Sequence, residues 1–261
     1  MPQNTFIFKH FIINQDRCAM KVGTDAMILG AYVGKSAKSN YSARSESAES
    51  ANYRILDIGT GTGVLSLMLA QKAKAQIHAI DINESSYLQS KENFENSSWR
   101  NRIHAFHSSI QDFNTGDNQK YDLIISNPPY FEHNQKASKE SERYNERTNA
   151  RSFDKLSFSD LLVHAERLLD EEGVFYVIIP AVGADSFISE AWKNNMFLFD
   201  RLHIQSKENQ EPVRVILGFV KNKKDLKETT LVIYRDDRGY TDDYIELTKN
   251  YYARDMVNSG T

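Results

Sequence analysis

The sequence predicts an α/β fold in which a mostly parallel sheet carries helices on both faces. Three observations predict it. Short apolar runs alternate with helix-length segments, a glycine-rich turn follows the first run, and an acid or amide stands at or just past the ends of three runs. The first run is Arg54-Ile55-Leu56-Asp57-Ile58, a short buried strand, and Gly59-Thr60-Gly61-Thr62-Gly63 turns it into an apolar helix from Val64 to Lys74. Gln76 to Asp81 reads as the second strand. The spacing then predicts a helix near 84–97, strands near 102–107 and 121–126, a helix near 157–169, a strand near 173–179 and a helix near 184–195.

There the alternation stops. Leu198 to Gln205 and Val213 to Val220 read as two strands joined by a polar turn, an antiparallel hairpin on the sheet edge. Beyond them Thr230 to Tyr234 is strand-like and Asp242 to Tyr252 helix-like. Residues 34–52 are rich in Ser and Ala and lack a hydrophobic period, so they read as a flexible loop that buries too little to offset ordering entropy. The expected organisation is an N-terminal segment 1–33, the loop 34–52, a core 53–222, and a C-terminal appendage 223–261 packed on that core.

Composition bounds the function without choosing it. A chain of 261 residues, 26% charged and 40% apolar, suits one α/β domain with appendages. It shows no leading basic-apolar segment and no long uncharged apolar run, so a cytoplasmic protein without a membrane partner is expected. Cys18 is the single cysteine, which excludes a disulfide within the chain and a cysteine-built zinc site; it reads as a small packed residue, and no metal is expected.

The glycine turn is G-x-G-x-G, at Gly59, Gly61 and Gly63, and not the G-x-G-x-x-G of pyrophosphate-binding turns. Asp57 precedes it by two residues and would repel a phosphate. Both departures favour a cationic, phosphate-free ligand. At the end of the second strand the Asp81 carboxylate can accept hydrogen bonds from two ribose hydroxyls.

Downstream, Ile124-Ile125-Ser126 runs into Asn127-Pro128-Pro129-Tyr130. A planar amino group conjugated to a ring or carbonyl is a poor nucleophile because its lone pair is delocalised. The Asn127 side-chain oxygen and the Pro128 carbonyl can accept its two N–H bonds and draw the nitrogen toward tetrahedral geometry, while Tyr130 stacks on the ring that carries it. The two prolines fix φ and remove two donors, which directs carbonyls into the site. A strand end followed by a Pro-Pro turn is the alternative reading of those four residues alone.

Asp57 to Gly63, Asp81 and Asn127 to Tyr130, in that order, resemble the amino-methylating branch of the class I S-adenosylmethionine-dependent methyltransferases. The N-terminal runs Phe6-Ile7-Phe8-Lys9-His10-Phe11 and Gln15 to Ala31 are similar to the bacterial valine-tRNA adenine-37 N6-methyltransferase family. The resemblance covers most of the chain and implies a Rossmann-like, seven-stranded, mostly parallel sheet with one antiparallel strand. It implies S-adenosylmethionine as cofactor, its methionyl part over Gly59, Gly61 and Gly63, its ribose at Asp81, and Thr24 and Asp25 helping to close over it. Near the cofactor adenine the family often places an acid where this chain has Ser109, so either Asp112 substitutes for it or that contact is lost, with Asp112 then a surface helix cap. Asn127, Pro128 and Tyr130 would carry direct in-line methyl transfer to the N6 of an adenine in tRNA.

A formal net charge of −3 is a mild objection to an RNA substrate. Positive charge gathered at the site mouth would answer it, and the candidates are Lys9, His10, Lys21, the 131–155 loop with Arg143, Arg147 and Arg151, and Lys221, Lys223, Lys224 and Lys227. The chain is expected to act as a monomer. Two rivals stay open: a glutamine N5-methyltransferase acting on release factors, and a non-catalytic protein that binds cofactor or RNA. The first usually carries a larger helical N-terminal domain, and the second has no use for Asn127 to Tyr130.

Overall fold

The apolar runs feed two separate cores, one on each face of a sheet. In β3 (Arg54–Ile58) Ile55 packs into one core and Leu56 into the other; in β6 (Tyr121–Ser126) Leu123 and Ile125 face one way and Ile124 the other. Strands covered on both faces require runs this apolar. The computed structural model describes residues 4–45, 53–114, 116, 119–129 and 157–253. The remaining main-sheet strands are β4 (Gln76–Asp81), β5 (Ile103–His107), β7 (Leu169–Pro180), β8 (Phe197–Lys207), β9 (Arg214–Val220) and β10 (Lys227–Tyr234). A separate antiparallel pair, β1 (Thr5–Ile7) and β2 (Ile12–Asn14), precedes them. The helices are α1 (Thr24–Ser45), α2 (Val64–Ala70), α3 (Glu84–Glu95), α4 (Phe158–Leu168), α5 (Ala184–Lys193) and α6 (Asp242–Thr248).

The sheet order is β10-β8-β9-β7-β6-β3-β4-β5, and among these strands only β9 runs against its neighbours. The chain therefore leaves β3 toward β4 and β5 and returns to β6 on the other side, so the order reverses between β3 and β6. The mostly parallel, doubly covered sheet matches the expected class, with eight strands in place of seven. The additional strand is β10, parallel to β8, whose Leu231 and Ile233 are buried between more exposed neighbours. It occupies the outer edge, so the β8/β9 hairpin is antiparallel as expected but not terminal: β9 lies between β7 and β8. A paired edge removes a row of free backbone donors and acceptors from β8.

A second difference lies in the Ser/Ala-rich segment. Helix α1 runs through Ser45, while residues 46–52 lie outside the described residues. Its first half supplies buried Ala26, Met27, Ile28, Leu29, Ala31 and Val33, and once that part is ordered each further residue adds a hydrogen bond for one residue's ordering. Lys, Ala and Arg are good helix formers, so weak hydrophobicity in 34–45 does not break the helix. Where α1 crosses α2 the backbones come close: a Cβ on Gly30 would sit 2.6 Å from Met68 Sδ.

Asp200 of β8, 4% exposed, ties α1 to the sheet. Its carboxylate accepts the Tyr32 hydroxyl at 2.8 and 3.0 Å and the Tyr176 hydroxyl at 2.9 Å. Removing it leaves two phenols without their acceptor in a poorly solvated place. Asp200→Ala is therefore expected to cost roughly 2–4 kcal/mol in urea unfolding. Asp200→Asn, which keeps one acceptor, should lose clearly less.

Candidate active site

Strand register brings the candidate residues together. Ile58 pairs with Ile80 on one side and with Ser126 on the other. The next residue of each strand, Gly59, Asp81 and Asn127, therefore leaves the sheet at one level, at its C-terminal edge beside the reversal of strand order. Ligands bind there in open α/β sheets. The buried Ser126 hydroxyl donates to the Ile58 carbonyl at 2.9 Å and pins the ends of β6 and β3 to each other.

A cavity of about 550 Å³ opens above this edge. Gly59 to Thr62, Ile58, Ile80, Asp81, Ile82, Asn83 and Ser86 wall it on the β3/β4 side. Ser108 to Asp112 close the β5 end, Asn127 and Pro129 the β6 end, and Cys18 to Val22 with Ala26 form a wall contributed by the chain N-terminus.

The glycine turn spends its own donors. The N–H groups of Gly59 and Thr60 donate to the Ile80 carbonyl at 2.9 and 3.0 Å, that of Gly61 to Asp81 Oδ2 at 2.8 Å, and that of Gly63 to the Thr60 carbonyl at 2.8 Å. In a phosphate-binding turn such donors point at the ligand; here they are consumed inside the protein. Gly59, Gly61 and Gly63 all have positive φ, at 70°, 57° and 83°. No atom lies within 4 Å of a Cβ built on Gly59 or Gly61, whereas one on Gly63 would strike Phe94 Cε1 at 2.4 Å. The first two leave room for a ligand, and Gly63 serves packing and caps α2.

The two acids divide between floor and wall. Asp57 is fully buried under the turn, where Oδ2 accepts the Thr60 and Ser66 hydroxyls, both at 2.7 Å, and Oδ1 has no partner among the described residues. Burial pushes its carboxyl up to about 6, against the lowering effect of those hydroxyls. Asp81 lines the cavity itself. Its Oδ1 accepts Asn83 N–H at 2.9 Å and its Oδ2 accepts Gly61 N–H, which leaves each oxygen a lone pair for a hydroxyl. Burial raises this carboxyl too.

Ser109 and Asp112 both reach the cavity and bond to each other: the Ser109 hydroxyl donates to Asp112 Oδ2 at 2.7 Å, and Asp112 N–H donates to Ser109 Oγ at 3.1 Å. Asn127 is half-buried and Pro128 buried. Tyr130, Phe131 and the arginines 143, 147 and 151 lie outside the described residues.

Other sequence candidates lie elsewhere. Thr24 and Asp25 do not line the cavity; they open helix α1, and Asp25 is engaged by Arg214 at 3.0 Å. A helix there, in place of a turn, carries their side chains away and brings Ala26 to the wall. Lys221 to Lys227 are at the opposite edge of the sheet, because β9 runs antiparallel and ends there, and Lys221 is held by Glu166 at 3.0 Å and Glu171 at 3.4 Å. Of the basic candidates Lys21 lines the cavity. Cys18 is packed in the N-terminal wall, and burial raises its thiol.

These residues fit S-adenosylmethionine. The cavity size is in the range for a small-molecule site. Its donors are turned inward and away from phosphate, and two carboxylates beside a single lysine suit a cationic ligand. Isoleucines 58, 80, 82 and 110 give apolar surface for a flat base.

Residues 45–196 match the Methyltransferase small domain family. The chain is 37% identical over 250 residues to the tRNA1(Val) (adenine(37)-N6)-methyltransferase of Flavobacterium psychrophilum, covering 95% of this chain and 99% of that protein. It is 39% identical over 257 residues to the enzyme of the same name from Trichodesmium erythraeum, covering 97% and 100%. Its fold is similar to that of a predicted O-methyltransferase from Agrobacterium tumefaciens, with a TM-score of 0.63 at 15% identity over 88% of this chain and 98% of that one. Fold and cavity together define a class I S-adenosylmethionine-dependent methyltransferase. Within that class the chain belongs to the tRNA1(Val) (adenine(37)-N6)-methyltransferase family.

The elevated Asp57 carboxyl has a measurable consequence. Its folded-state value, about 6, lies above the unfolded value near 3.8, so the folded protein holds this proton more tightly. The resulting stabilisation is fully present below about pH 4 and is lost as pH rises through 6, with a total on the order of 3 kcal/mol. Denaturant titrations of the cofactor-free protein from pH 4 to 7 should show this fall. Asp57→Asn should flatten it; an unchanged slope would mean that Asp57 ionises normally.

Proposed function

We propose that this enzyme transfers a methyl group from S-adenosylmethionine to the exocyclic N6 of adenine 37 in a valine tRNA. One observation carries the reading at the site: register delivers Asn127 to the cavity at the level of Gly59 and Asp81. The near full-length kinship with enzymes of that name supports the choice of acceptor.

When bound, S-adenosylmethionine supplies an electrophilic methyl group on a positively charged sulfur. Asp81 holds the ribose hydroxyls through its two remaining lone pairs. Asp57, under the turn, stabilises positive charge above it, while Ser109 and Asp112 border the adenine end. Asn127 and the Pro128 carbonyl accept the two N–H bonds of the acceptor amino group, so that its lone pair faces the methyl carbon. The nitrogen–carbon bond forms as the carbon–sulfur bond breaks, and the transient ammonium releases a proton to water, so no strong base is needed. Tyr130 supplies a ring for the adenine. Stacking worth roughly 1–3 kcal/mol offsets much of the cost of turning a base out of the anticodon loop. Lys21 and the basic residues of 131–155 are the proposed contacts to RNA phosphates, with the enzyme acting as a monomer.

The test is incubation with labelled cofactor and separate pools of tRNA, rRNA, DNA and release factor, followed by nucleoside mass spectrometry of purified valine tRNA. Label in release factor instead of tRNA would overturn the acceptor. Two variants separate the roles. Asn127→Ala should bind cofactor as the parent does yet lose turnover by about 100-fold or more. Asp81→Ala should weaken cofactor binding by roughly 10–100-fold, since two hydrogen bonds to a carboxylate are removed.

A further inference from the structure

Two walls of the cofactor cavity, the glycine turn and the N-terminal residues Cys18 to Val22, belong to segments far apart in sequence. One side chain, which does not line the cavity, joins the glycine turn to Asn14, where the chain leads into the N-terminal wall. Asn93, in the last turn of α3 and 2% exposed, accepts the Asn14 N–H through Oδ1 at 2.9 Å. Its Nδ2 donates to the Asn14 carbonyl at 2.9 Å and to the Thr62 carbonyl at 2.8 Å. The amide thus pairs with Asn14 as a neighbouring strand would, and its other N–H fixes the glycine turn. We propose that Asn93 is a positioning residue for S-adenosylmethionine: it sets the distance between the N-terminal wall and the glycine turn.

The neighbouring residues act in the same direction. Gln89, one helical turn earlier and fully buried, accepts the Arg17 N–H at 2.9 Å, and its Nε2 finds no partner among the described residues. The fold tolerates that unsatisfied donor at the residue that holds the wall. On the same helix Ser86 reaches the cavity, so α3 presents the clamp and part of the site along one side. Glu92 adds outer contacts, taking a hydrogen bond from Asn14 Nδ2 at 3.0 Å and an ion pair from Arg17 at 3.1 Å. Past this clamp the wall closes on itself: the Val22 N–H donates to Gln15 Oε1 at 2.9 Å. Residues 14 to 22 therefore form a loop gripped at Asn14 and Arg17, and its distance from Thr62 depends on the Asn93 amide. The buried amide has one acceptor and two donors, and all three are used.

Asn93→Asp is the sharp test, since it keeps size and the acceptor but sets a carboxylate oxygen against the Asn14 and Thr62 carbonyls. S-adenosylmethionine and S-adenosylhomocysteine should both bind about 10-fold or more weaker by calorimetry, the size of a lost buried hydrogen bond. KM for the cofactor should rise in step, and kcat at saturation should move far less. In cofactor-free protein the Asn14 and Arg17 amides should exchange hydrogen faster than in the parent. Gln89→Met and Asn93→Ser, which introduce no charge, supply the same readings if Asn93→Asp does not fold. A variant that melts earlier but binds cofactor as tightly as the parent would overturn the proposal. A parent enzyme that binds cofactor and methylates no tRNA would overturn only the acceptor assignment.

Discussion

The site depends on the way the glycine turn satisfies itself. Gly59, Thr60 and Gly61 direct their N–H groups at the end of β4, two to the Ile80 carbonyl and one to Asp81. The turn is thereby fastened to the adjacent strand, and Asp81 is oriented by the same bond that removes a donor from the cavity. Those three donors are spent inside the protein and are not offered to a phosphate. What remains is space above Gly59 and Gly61, a carboxylate on the wall and another beneath the floor, an environment that favours positive charge on the ligand.

The opposite half of the edge has a different task, and the fold separates the two. Strands β3 to β5 and the loops that follow them wall most of the cavity. Strand β6 brings Asn127 to the border, and its end is fixed to β3 by the Ser126 hydroxyl. The level at which Asn127 meets the cavity is therefore set by sheet register, while the loops after the strands shape the walls. One slipped residue in β6 would reverse the facing of Leu123, Ile124 and Ile125 and would dismantle both cores, so packing guards the position of the Asn127 amide.

Much of this was legible in the chain because local rules and the fold agree at these places. Asp57 to Gly63, the acid ending β4 and the Asn-Pro-Pro run after β6 are short local signals, and register makes them neighbours as the α/β pattern requires. Placements that long-range contacts decide were not legible. Thr24 and Asp25 open a helix, and Asp25 is paired with Arg214, 189 residues further on, a contact that no local pattern announces. Residues 34–45 have a loop-like composition, yet they continue a helix whose first half is buried. Asn93 and Gln89 gave no signal at all, since a buried amide in a polar helix looks like any exposed one until its partners are known. The lysines after β9 looked suitable for RNA, but strand direction, invisible in composition, carries them to the far edge.

Strand β10 gives the C-terminal residues a role beyond closing an edge. It leads into an aromatic series in which Tyr234 stacks on Tyr240 at 5.3 Å and Tyr240 on Tyr244 at 4.8 Å, and the Tyr244 and Tyr252 hydroxyls meet at 3.1 Å. Tyr252 then bridges to Phe8, and the Tyr251 carbonyl takes the Lys9 N–H at 2.7 Å, which joins the chain end to the β1/β2 pair. That pair leads into the N-terminal wall of the cavity and is gripped at its far end by Asn93. A two-stranded pair is marginal alone, so its position must come from what it rests on. The C-terminal segment supplies that support from one side and α3 from the other, which makes the eighth strand part of the route by which the N-terminus is delivered to the active site.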